Sequence, residues 1–188
     1  MVAAAKPCVF LDRDGVIVVP QFRQGRSYAP TTLKDFRYFS VVQEALLRLN
    51  AAGYLLIVIT NQPDVGNGLV PLELVETMHD KMYEELPIDH IEVCYHTASD
   101  NCACRKPKPG MLLNAINKFN INLEKSFMIG DRFSDVEAGK QLNLITFFIN
   151  HHYQELLITK PDYICKDLLA CVEIILSKKC KNLRQKDD

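Results

Sequence analysis

The chain has 188 residues, of which 48% are hydrophobic, and this size suits a single domain with a full apolar core. The charge is nearly balanced, with 22 basic and 23 acidic side chains, so nothing favours electrostatic binding to nucleic acid or to an anionic membrane. No apolar run approaches the length of a transmembrane helix, and residues 1–7 are too few and too polar for a signal peptide. The seven cysteines are odd in number and unevenly spaced, which favours a reducing compartment, and we expect a cytoplasmic protein.

Apolar runs and helical periodicity alternate along the chain. The apolar runs predict strands at residues 8–11, 16–19, 55–59, 91–94, 126–129 and 144–149. Helical spacing predicts helices at residues 40–52, 71–85, 110–119, 133–142 and 167–179, the first with Ser40 as its N-cap. Residues 20–30 and 63–68 are expected to be loops, and the first of these folds back over the end of the first strand.

This alternation of strands and helices predicts a three-layer, doubly wound α/β fold, a Rossmann-like parallel sheet with helices on both faces. We expect one domain over residues 1–188, with a core over about residues 8–179 and a flexible charged tail at residues 180–188. The spacing of the elements leaves no room for an inserted cap domain.

Two carboxylates, Asp12 and Asp14, follow the first predicted strand. In extended geometry residues two apart share a face, and open α/β sheets bind ligands at the carboxyl ends of their strands. Two neighbouring carboxylates repel each other, and Mg2+, which takes one or two carboxylates together with waters and phosphate oxygens, would relieve the repulsion. A strand that ends in an ordinary polar turn explains the same two residues equally well.

Four short polar motifs occur in a fixed order, and the first, second and fourth each follow an apolar, strand-like run. They are Asp12-Arg13-Asp14-Gly15, Thr60-Asn61-Gln62, Arg105-Lys106-Pro107 and Gly130-Asp131-Arg132. In this order they resemble the four motifs of the haloacid-dehalogenase (HAD) phosphohydrolase superfamily, and the match covers roughly residues 8–149. The resemblance implies a HAD-like fold, phosphatase activity and a catalytic Mg2+.

The resemblance also implies a role for each motif residue. Asp12 would be the nucleophile that forms an aspartyl-phosphate and would bind Mg2+, and Asp14 would be the general acid and base, with its backbone carbonyl on the metal. The Thr60 hydroxyl would donate to phosphoryl oxygens, although a turn or capping role is common for threonine. Lys106 would offset negative charge on the transferring group, and Asp131 would be the second carboxylate ligand of Mg2+.

Three further residues are candidates for support of this site. Asn61 would extend the polar pocket, and Arg105 could form a bidentate contact with a second phosphate or another anionic group. Asp135 lies near the start of a predicted helix. It could support the metal or Lys106, and a simple carboxylate at a helix N-terminus explains it equally well.

A second set of metal-type residues lies in one short stretch. Cys94, His96, Cys102 and Cys104 form a Cys3His set, which is a common set of ligands for a closed, structural Zn2+ site, although the spacing is not that of a CxxC knuckle. The remaining apolar-context cysteines are expected to be buried thiols; they are Cys8, Cys165 and Cys171. We expect the zinc-binding loop to fix the segment that carries Arg105 and Lys106.

The CxH…CxC pattern followed by Arg-Lys-Pro-x-Pro-Gly-Met resembles a narrower group, the D-glycero-D-manno-heptose-1,7-bisphosphate 7-phosphatases and the related histidinol-phosphate phosphatases. One loop departs from the bisphosphatase pattern, because Asn67 replaces the usual arginine and Asp64 adds an acidic side chain. The four remaining histidines lack comparable partners in the sequence and are expected to be ordinary surface or loop residues; they are His79, His90, His151 and His152.

These resemblances imply an Mg2+-dependent phosphomonoesterase that removes the 7-phosphate of a heptose 1,7-bisphosphate during nucleotide-heptose biosynthesis. A histidinol-phosphate phosphatase or another small sugar-phosphate phosphatase is the alternative enzyme, and a catalytically silent, zinc-stabilised binding module is the alternative outside enzymology. The expected partner is a small phosphorylated metabolite, a sugar bisphosphate, rather than nucleic acid or a membrane. The protein is expected to be a monomer or a small homo-oligomer.

Overall fold

The computed structural model describes residues 4–23, 26–152 and 157–177. In chain order its elements are β1 (Cys8–Leu11), β2 (Gln21–Arg23), β3 (Arg26–Tyr28), α1 (Val42–Ala51), β4 (Leu55–Asn61), α2 (Pro63–Gly66), α3 (Leu72–Glu85), β5 (His90–Cys94), α4 (Gly110–Phe119), β6 (Phe127–Gly130), α5 (Phe133–Lys140), β7 (Ile145–Ile149), β8 (Tyr163–Cys165) and α6 (Leu168–Leu176). A 3-10 turn, Leu123–Lys125, precedes β6.

A six-stranded sheet forms the centre of the fold, with the strand order β5-β4-β1-β6-β7-β8. Every neighbouring pair in this sheet is parallel. The chain runs outward from β1 to β4 and β5, and then returns to the other side of β1 to build β6, β7 and β8. The strand order therefore reverses beside β1, and open α/β sheets bind their ligands at the carboxyl ends of the strands at such a point.

The strands are buried on both faces, which explains why they are continuous apolar runs rather than alternating ones. Val9 and Leu11 point into one apolar core, which also contains residues of α1, α3 and α6. Cys8 and Phe10 point into a second core on the opposite face, together with residues of α4 and α5. The predicted three-layer, doubly wound arrangement is confirmed.

The five predicted core strands are present, but one strand prediction and one loop prediction were wrong. Residues 16–19 form a tight turn rather than a strand, because the backbone N–H groups of Ile17 and Val18 both donate to the Arg13 carbonyl. The loop predicted at residues 20–30 instead contains the antiparallel hairpin β2–β3. The short edge strand β8 was not predicted, since three residues carry too little periodicity to identify it.

Helix boundaries differ from the predictions by a few residues. Helix α1 begins at Val42, and Ser40 is not its N-cap, because Val41 holds that position without a side-chain hydrogen bond. Residues 63–66 form the short helix α2 inside a predicted loop. Asp167 is the N-cap of α6 and accepts a hydrogen bond from the Ala170 N–H. The predicted tail at residues 180–188 lies outside the described residues.

Within the described ranges, the segment between β1 and β4 contains the β2–β3 hairpin and α1, and no cap domain is inserted there. Among the same residues, no helix combines the length and the apolar character that a membrane crossing requires.

Candidate active site

The predicted site residues converge on a pocket of about 500 Å3 at the carboxyl ends of the central strands. Six of them line it: Asp12, Asp14, Asn61, Arg105, Lys106 and Asp135. Asp131 is fully buried and can place an oxygen within 4.8 Å of those of Asp12 and Asp135, and Thr60 is likewise fully buried near the end of β4. The structure therefore brings together all the residues that the four motifs contributed.

Lys106 is the buried cation of this pocket, with only 4% of its surface exposed. Its ammonium Nζ lies 2.6 Å from Asp12 Oδ1 and 2.6 Å from Asp135 Oδ1, and it donates to the Ile59 carbonyl at 2.6 Å. Burial alone would lower the pKa of Lys106, but the two carboxylates outweigh it and raise the pKa above its ordinary value. Lys106 is thus held charged against the predicted nucleophile.

Three buried carboxylates crowd together beside Lys106. Asp12, Asp131 and Asp135 can each place one oxygen within 4.8 Å of the others. Within the part of the chain that the structure describes, neither oxygen of Asp131 has a hydrogen-bond partner. Burial, followed by the charges of Asp12 and Asp135, raises the pKa of Asp131 well above its ordinary value. Unpartnered buried carboxylate oxygens fit a hard divalent cation, which would satisfy them and offset their repulsion.

Asp135 takes part in two interactions that the sequence offered as alternatives. Its Oδ2 accepts from the Arg132 backbone N–H at 3.0 Å at the start of α5, and its Oδ1 forms the ion pair with Lys106. Burial, which outweighs the charge of Lys106, raises the pKa of Asp135 to about 6.

Asp14 lies apart from that cluster and has its own set of donors. The Arg13 guanidinium contacts both of its oxygens, at 3.0 Å from Nε to Oδ2 and 3.1 Å from Nη2 to Oδ1. Gln62 Nε2 donates to Asp14 Oδ2 at 2.7 Å and to the Thr60 hydroxyl oxygen at 2.8 Å. Burial raises the pKa of Asp14, and the Arg13 charge only partly offsets that rise.

Asn61 holds the backbone of the loop that carries Lys106. Its Nδ2 donates to the Lys106 carbonyl, and its Oδ1 accepts from the Lys106 N–H, both at 3.1 Å. Arg105 lies on the same loop, and its guanidinium donates to the His96 carbonyl at 3.2 Å. The Lys106 segment is therefore fixed from β4 on one side and from the cysteine-rich stretch on the other.

The Cys3His set assembles as the sequence predicted. Cys94, His96, Cys102 and Cys104 can place their ligand atoms within 4.8 Å of one another. Sulfur–sulfur distances among them are 3.2, 3.3 and 3.7 Å, and these cysteines are not joined by disulfides. Tetrahedral zinc with Zn–S bonds of about 2.3 Å would separate its sulfurs by about 3.8 Å, so the cluster needs only a small expansion. Cys8, Cys165 and Cys171 are buried free thiols elsewhere in the fold.

Comparison with known proteins decides the family. Residues 103–171 match the HAD-hydrolase-like protein family. Over 174 residues the chain is 34% identical to the D-glycero-β-D-manno-heptose-1,7-bisphosphate 7-phosphatase of Helicobacter pylori, which covers 89% of this chain and 96% of that protein. The same enzyme of Rhodopseudomonas palustris is 35% identical over 157 residues, covering 77% of this chain and 84% of that one. The chain belongs to the heptose-bisphosphate phosphatase family of HAD-like hydrolases.

A solved structure agrees with this family. The D,D-heptose 1,7-bisphosphate phosphatase of B. bronchiseptica, complexed with magnesium and phosphate, superimposes with a TM-score of 0.76 at 26% identity, covering 90% of this chain and 98% of that chain. Phosphatases with the HAD fold are generally Mg2+-dependent. These comparisons confirm the superfamily, the fold class and the phosphatase activity that the sequence predicted for this chain.

Sequence analysis missed several residues of this phosphatase. His79 is buried rather than on the surface, and Arg13 Nη1 lies 3.0 Å from its Nε2. The signal was available, because His79 shares the helical spacing of the buried Val75 and Met82. His151 Nε2 lies 2.6 Å from the Gly15 carbonyl, which no local pattern predicts.

Arg132 was part of a motif, but its side chain had no predicted role. It lines the pocket, and its guanidinium donates to the carbonyl and the hydroxyl of Ser27 on β3, at 2.7 and 2.6 Å. The β2–β3 hairpin of this phosphatase is therefore attached to the same edge of the sheet as the catalytic motifs.

Replacement of Asn61 by aspartate tests whether its two hydrogen bonds hold the Lys106 backbone in place. Asn61→Asp puts a carboxylate oxygen where Nδ2 donates to the Lys106 carbonyl, and we expect a loss of about 1–3 kcal/mol in the free energy of unfolding. Urea unfolding measures it. The matched control is Asn114→Asp on the exposed face of α4, which should change stability by no more than about 0.5 kcal/mol. An equal loss of unfolding free energy in the two variants would contradict a stabilising role of the Asn61 hydrogen bonds.

Proposed function

We propose that this phosphatase hydrolyses a phosphomonoester of a small sugar through an aspartyl-phosphate on Asp12, and that a heptose 1,7-bisphosphate, losing its 7-phosphate, is the preferred substrate. The observation that carries the proposal is the buried Lys106–Asp12 ion pair beside Asp131, whose carboxylate oxygens have no hydrogen-bond partner among the described residues. The proposed nucleophile, a fixed positive charge and a cluster of carboxylates suited to a divalent cation lie together at one edge of the sheet. Nucleotide-heptose biosynthesis is the setting that this substrate implies.

In the first step an oxygen of Asp12 attacks phosphorus, and the bond between phosphorus and the sugar oxygen breaks. Asp14 gives its proton to the leaving oxygen, and burial, which raises the pKa of Asp14, favours the protonated form that this step needs. Lys106 offsets charge on Asp12 and on the transferring group. In the second step Asp14 takes a proton from the attacking water, inorganic phosphate leaves, and Asp12 is free again.

Asp12 and Asp131 would hold Mg2+, together with the backbone carbonyl of Asp14, and Asp135 supports them through Lys106. When bound, the ion supplies positive charge to the phosphoryl oxygens and to the crowded carboxylates. Thr60 would add a hydroxyl donor near the phosphoryl group. Its oxygen already accepts from Gln62, so its proton is directed away from that partner.

Two guanidinium groups support a substrate with a second anionic group. Arg105 and Arg132 both line the pocket, in addition to Lys106. Guanidinium groups bind phosphate in a bidentate manner, so a bisphosphate could be held at one end while the other end reacts.

Asp64 favours a second candidate substrate class. Its carboxylate also lines the pocket, where the usual bisphosphatase loop has no acidic residue. A negative side chain suits a substrate that carries a positive group beside its phosphate, as histidinol phosphate does. A panel of phosphorylated sugars that includes heptose 1,7-bisphosphate and histidinol phosphate separates the two candidates.

The cysteine cluster would hold structural Zn2+ with all four protein ligands, leaving no open position for chemistry. Its effect on the reaction would pass through the loop, because Arg105 contacts the His96 carbonyl and Lys106 follows directly.

Phosphate release from that panel, with and without Mg2+, tests the proposal. Asp12→Asn should reduce release by at least about a thousandfold, because the amide cannot act as the nucleophile, while the fold is retained. Asp80→Asn, on the exposed face of α3, is the control for the loss of one carboxylate. Substantial turnover by Asp12→Asn protein that is free of deamidation would exclude Asp12 as the nucleophile.

Mg2+ should stabilise the folded protein, and by more at higher pH. Burial and neighbouring carboxylates raise the pKa of Asp131, and that of Asp135 to about 6, so protons compete with the ion at acidic pH. The rise in melting temperature caused by Mg2+ should therefore be small near pH 4 and should increase as the pH rises through about 6. Once the carboxylates are deprotonated, a 100-fold excess of Mg2+ over Kd gives about 2.7 kcal/mol of stabilisation.

Asp131→Asn should abolish most of that rise without lowering the melting temperature of the metal-free protein, because it removes a buried charge that has no hydrogen-bond partner in the part of the chain that the structure describes. A variant that responds to Mg2+ as the unmodified protein does would contradict Asp131 as a ligand.

The double variant Cys102→Ser, Cys104→Ser should lose bound zinc and at least about tenfold in kcat/KM, since the loop that carries Lys106 would lose one of its two anchors. Its stabilisation by Mg2+ should be unchanged. Cys165→Ala removes a thiol outside the cluster and should retain one equivalent of zinc by metal analysis. Protein that is purified without zinc and is fully active would exclude this role.

A further inference from the structure

One buried charged side chain, Arg13, has no role in the mechanism described above. Arg13 is fully buried between the two motif aspartates in sequence, with its guanidinium carbon 5.8 Å from the Phe36 ring centroid. A buried cation is strongly destabilising unless its donors are satisfied. Arg13 meets that need with Asp14 on one side and His79 on the other.

The contact between Arg13 and His79 fixes the protonation state of the histidine. A guanidinium can only donate hydrogen bonds, so His79 Nε2 must accept at 3.0 Å and the imidazole must be neutral. Burial, together with the Arg13 charge, lowers the pKa of His79 to about 3, which agrees with that assignment. His79 is therefore a fixed acceptor on α3, packed beside Met78 and Met82.

The orientation of Asp14 depends on this contact. Arg13 reaches both carboxylate oxygens, and Gln62 donates to Oδ2 from another direction. These donors prevent the carboxylate from rotating about its terminal bond. Without the acceptor at His79, Nη1 of Arg13 would be a buried donor without a partner, and the guanidinium would have to turn to find one.

We propose that His79 is a positioning residue for the reaction: by accepting from Arg13, it holds the guanidinium that aims the Asp14 carboxylate at the leaving oxygen. The inference rests on the proposed role of Asp14 as the general acid. It adds a residue from α3, which is outside the four motifs, to the function of the site.

The chemistry of the leaving group gives a specific readout. A sugar alkoxide needs a proton from Asp14 as it leaves, whereas p-nitrophenolate leaves without one. The ratio of kcat/KM for a sugar phosphate to kcat/KM for p-nitrophenyl phosphate therefore reports how well Asp14 is aimed. Because kcat/KM covers only the steps through departure of the leaving group, slow hydrolysis of the aspartyl-phosphate does not affect it.

The experiment compares His79→Leu with His79→Gln in the full-length chain with Mg2+, using the best sugar phosphate of the panel. We expect His79→Leu to lower this ratio about tenfold to a hundredfold, through kcat rather than KM. His79→Gln keeps an acceptor and should stay within about threefold of the unmodified protein. Met82→Ala, on the same buried face of α3, should lower the melting temperature and leave the ratio unchanged.

If His79→Leu does not fold, Arg13→Lys takes its place, because an ammonium cannot span both oxygens of Asp14 and His79, and the same fall is expected. Where p-nitrophenyl phosphate is not accepted, the difference in kcat between the leucine and glutamine variants on the sugar phosphate decides. An unchanged ratio, or equal losses in the two His79 variants, would overturn the inference while the proposed function stands. Absence of Mg2+-dependent hydrolysis by the unmodified protein would overturn both.

Discussion

Three carboxylates are buried close together near the carboxyl ends of the central strands, and the rest of the structure depends on how their mutual repulsion is offset. Asp12 follows β1, whereas Asp131 and Asp135 lie between the end of β6 and the first turn of α5, and each is almost fully buried. Lys106 balances part of this negative charge through its contacts with Asp12 and Asp135. The two oxygens of Asp131 lack a partner within the described residues, and this is where a divalent cation would complete the balance.

Because this balance requires Lys106, the loop that carries it must be held in place. Asn61 fixes the Lys106 backbone from the end of β4, and the Cys3His cluster lies next to it in the chain. The two anchors use different chemistry, one a reciprocal pair of hydrogen bonds and the other a set of metal-type ligands. The position of the loop that carries Lys106 is therefore set by Asn61 and the cysteine cluster, whereas the charge of Lys106 is balanced by Asp12 and Asp135. A change in the first set of groups does not require a change in the second.

The sequence predicted the fold and the site where local signals are strong. Continuous apolar runs identified the five central strands, since strands covered on both faces leave no polar positions. The order of the motifs then identified Asp12, Asp14, Thr60, Lys106 and Asp131, which lie together at one edge of the sheet. The turn at residues 16–19 was missed because its conformation depends on two backbone hydrogen bonds to the Arg13 carbonyl, which the composition of the segment does not indicate.

Interactions across large sequence distances could not be predicted. No local sequence pattern joins Arg13 to His79, or Arg132 to Ser27, because the residues of each pair are far apart in sequence and are brought together only by the tertiary fold. The same holds for Gly15, which has a positive φ of 99° and packs directly against the Asp131 carboxylate. A Cβ at residue 15 would occupy the volume that the carboxylate now fills, and side chains rarely adopt that backbone conformation. The glycine of the first motif and the aspartate of the fourth therefore compete for one volume, and a side chain at residue 15 would fit only if the Asp131 carboxylate moved away from its place at the site.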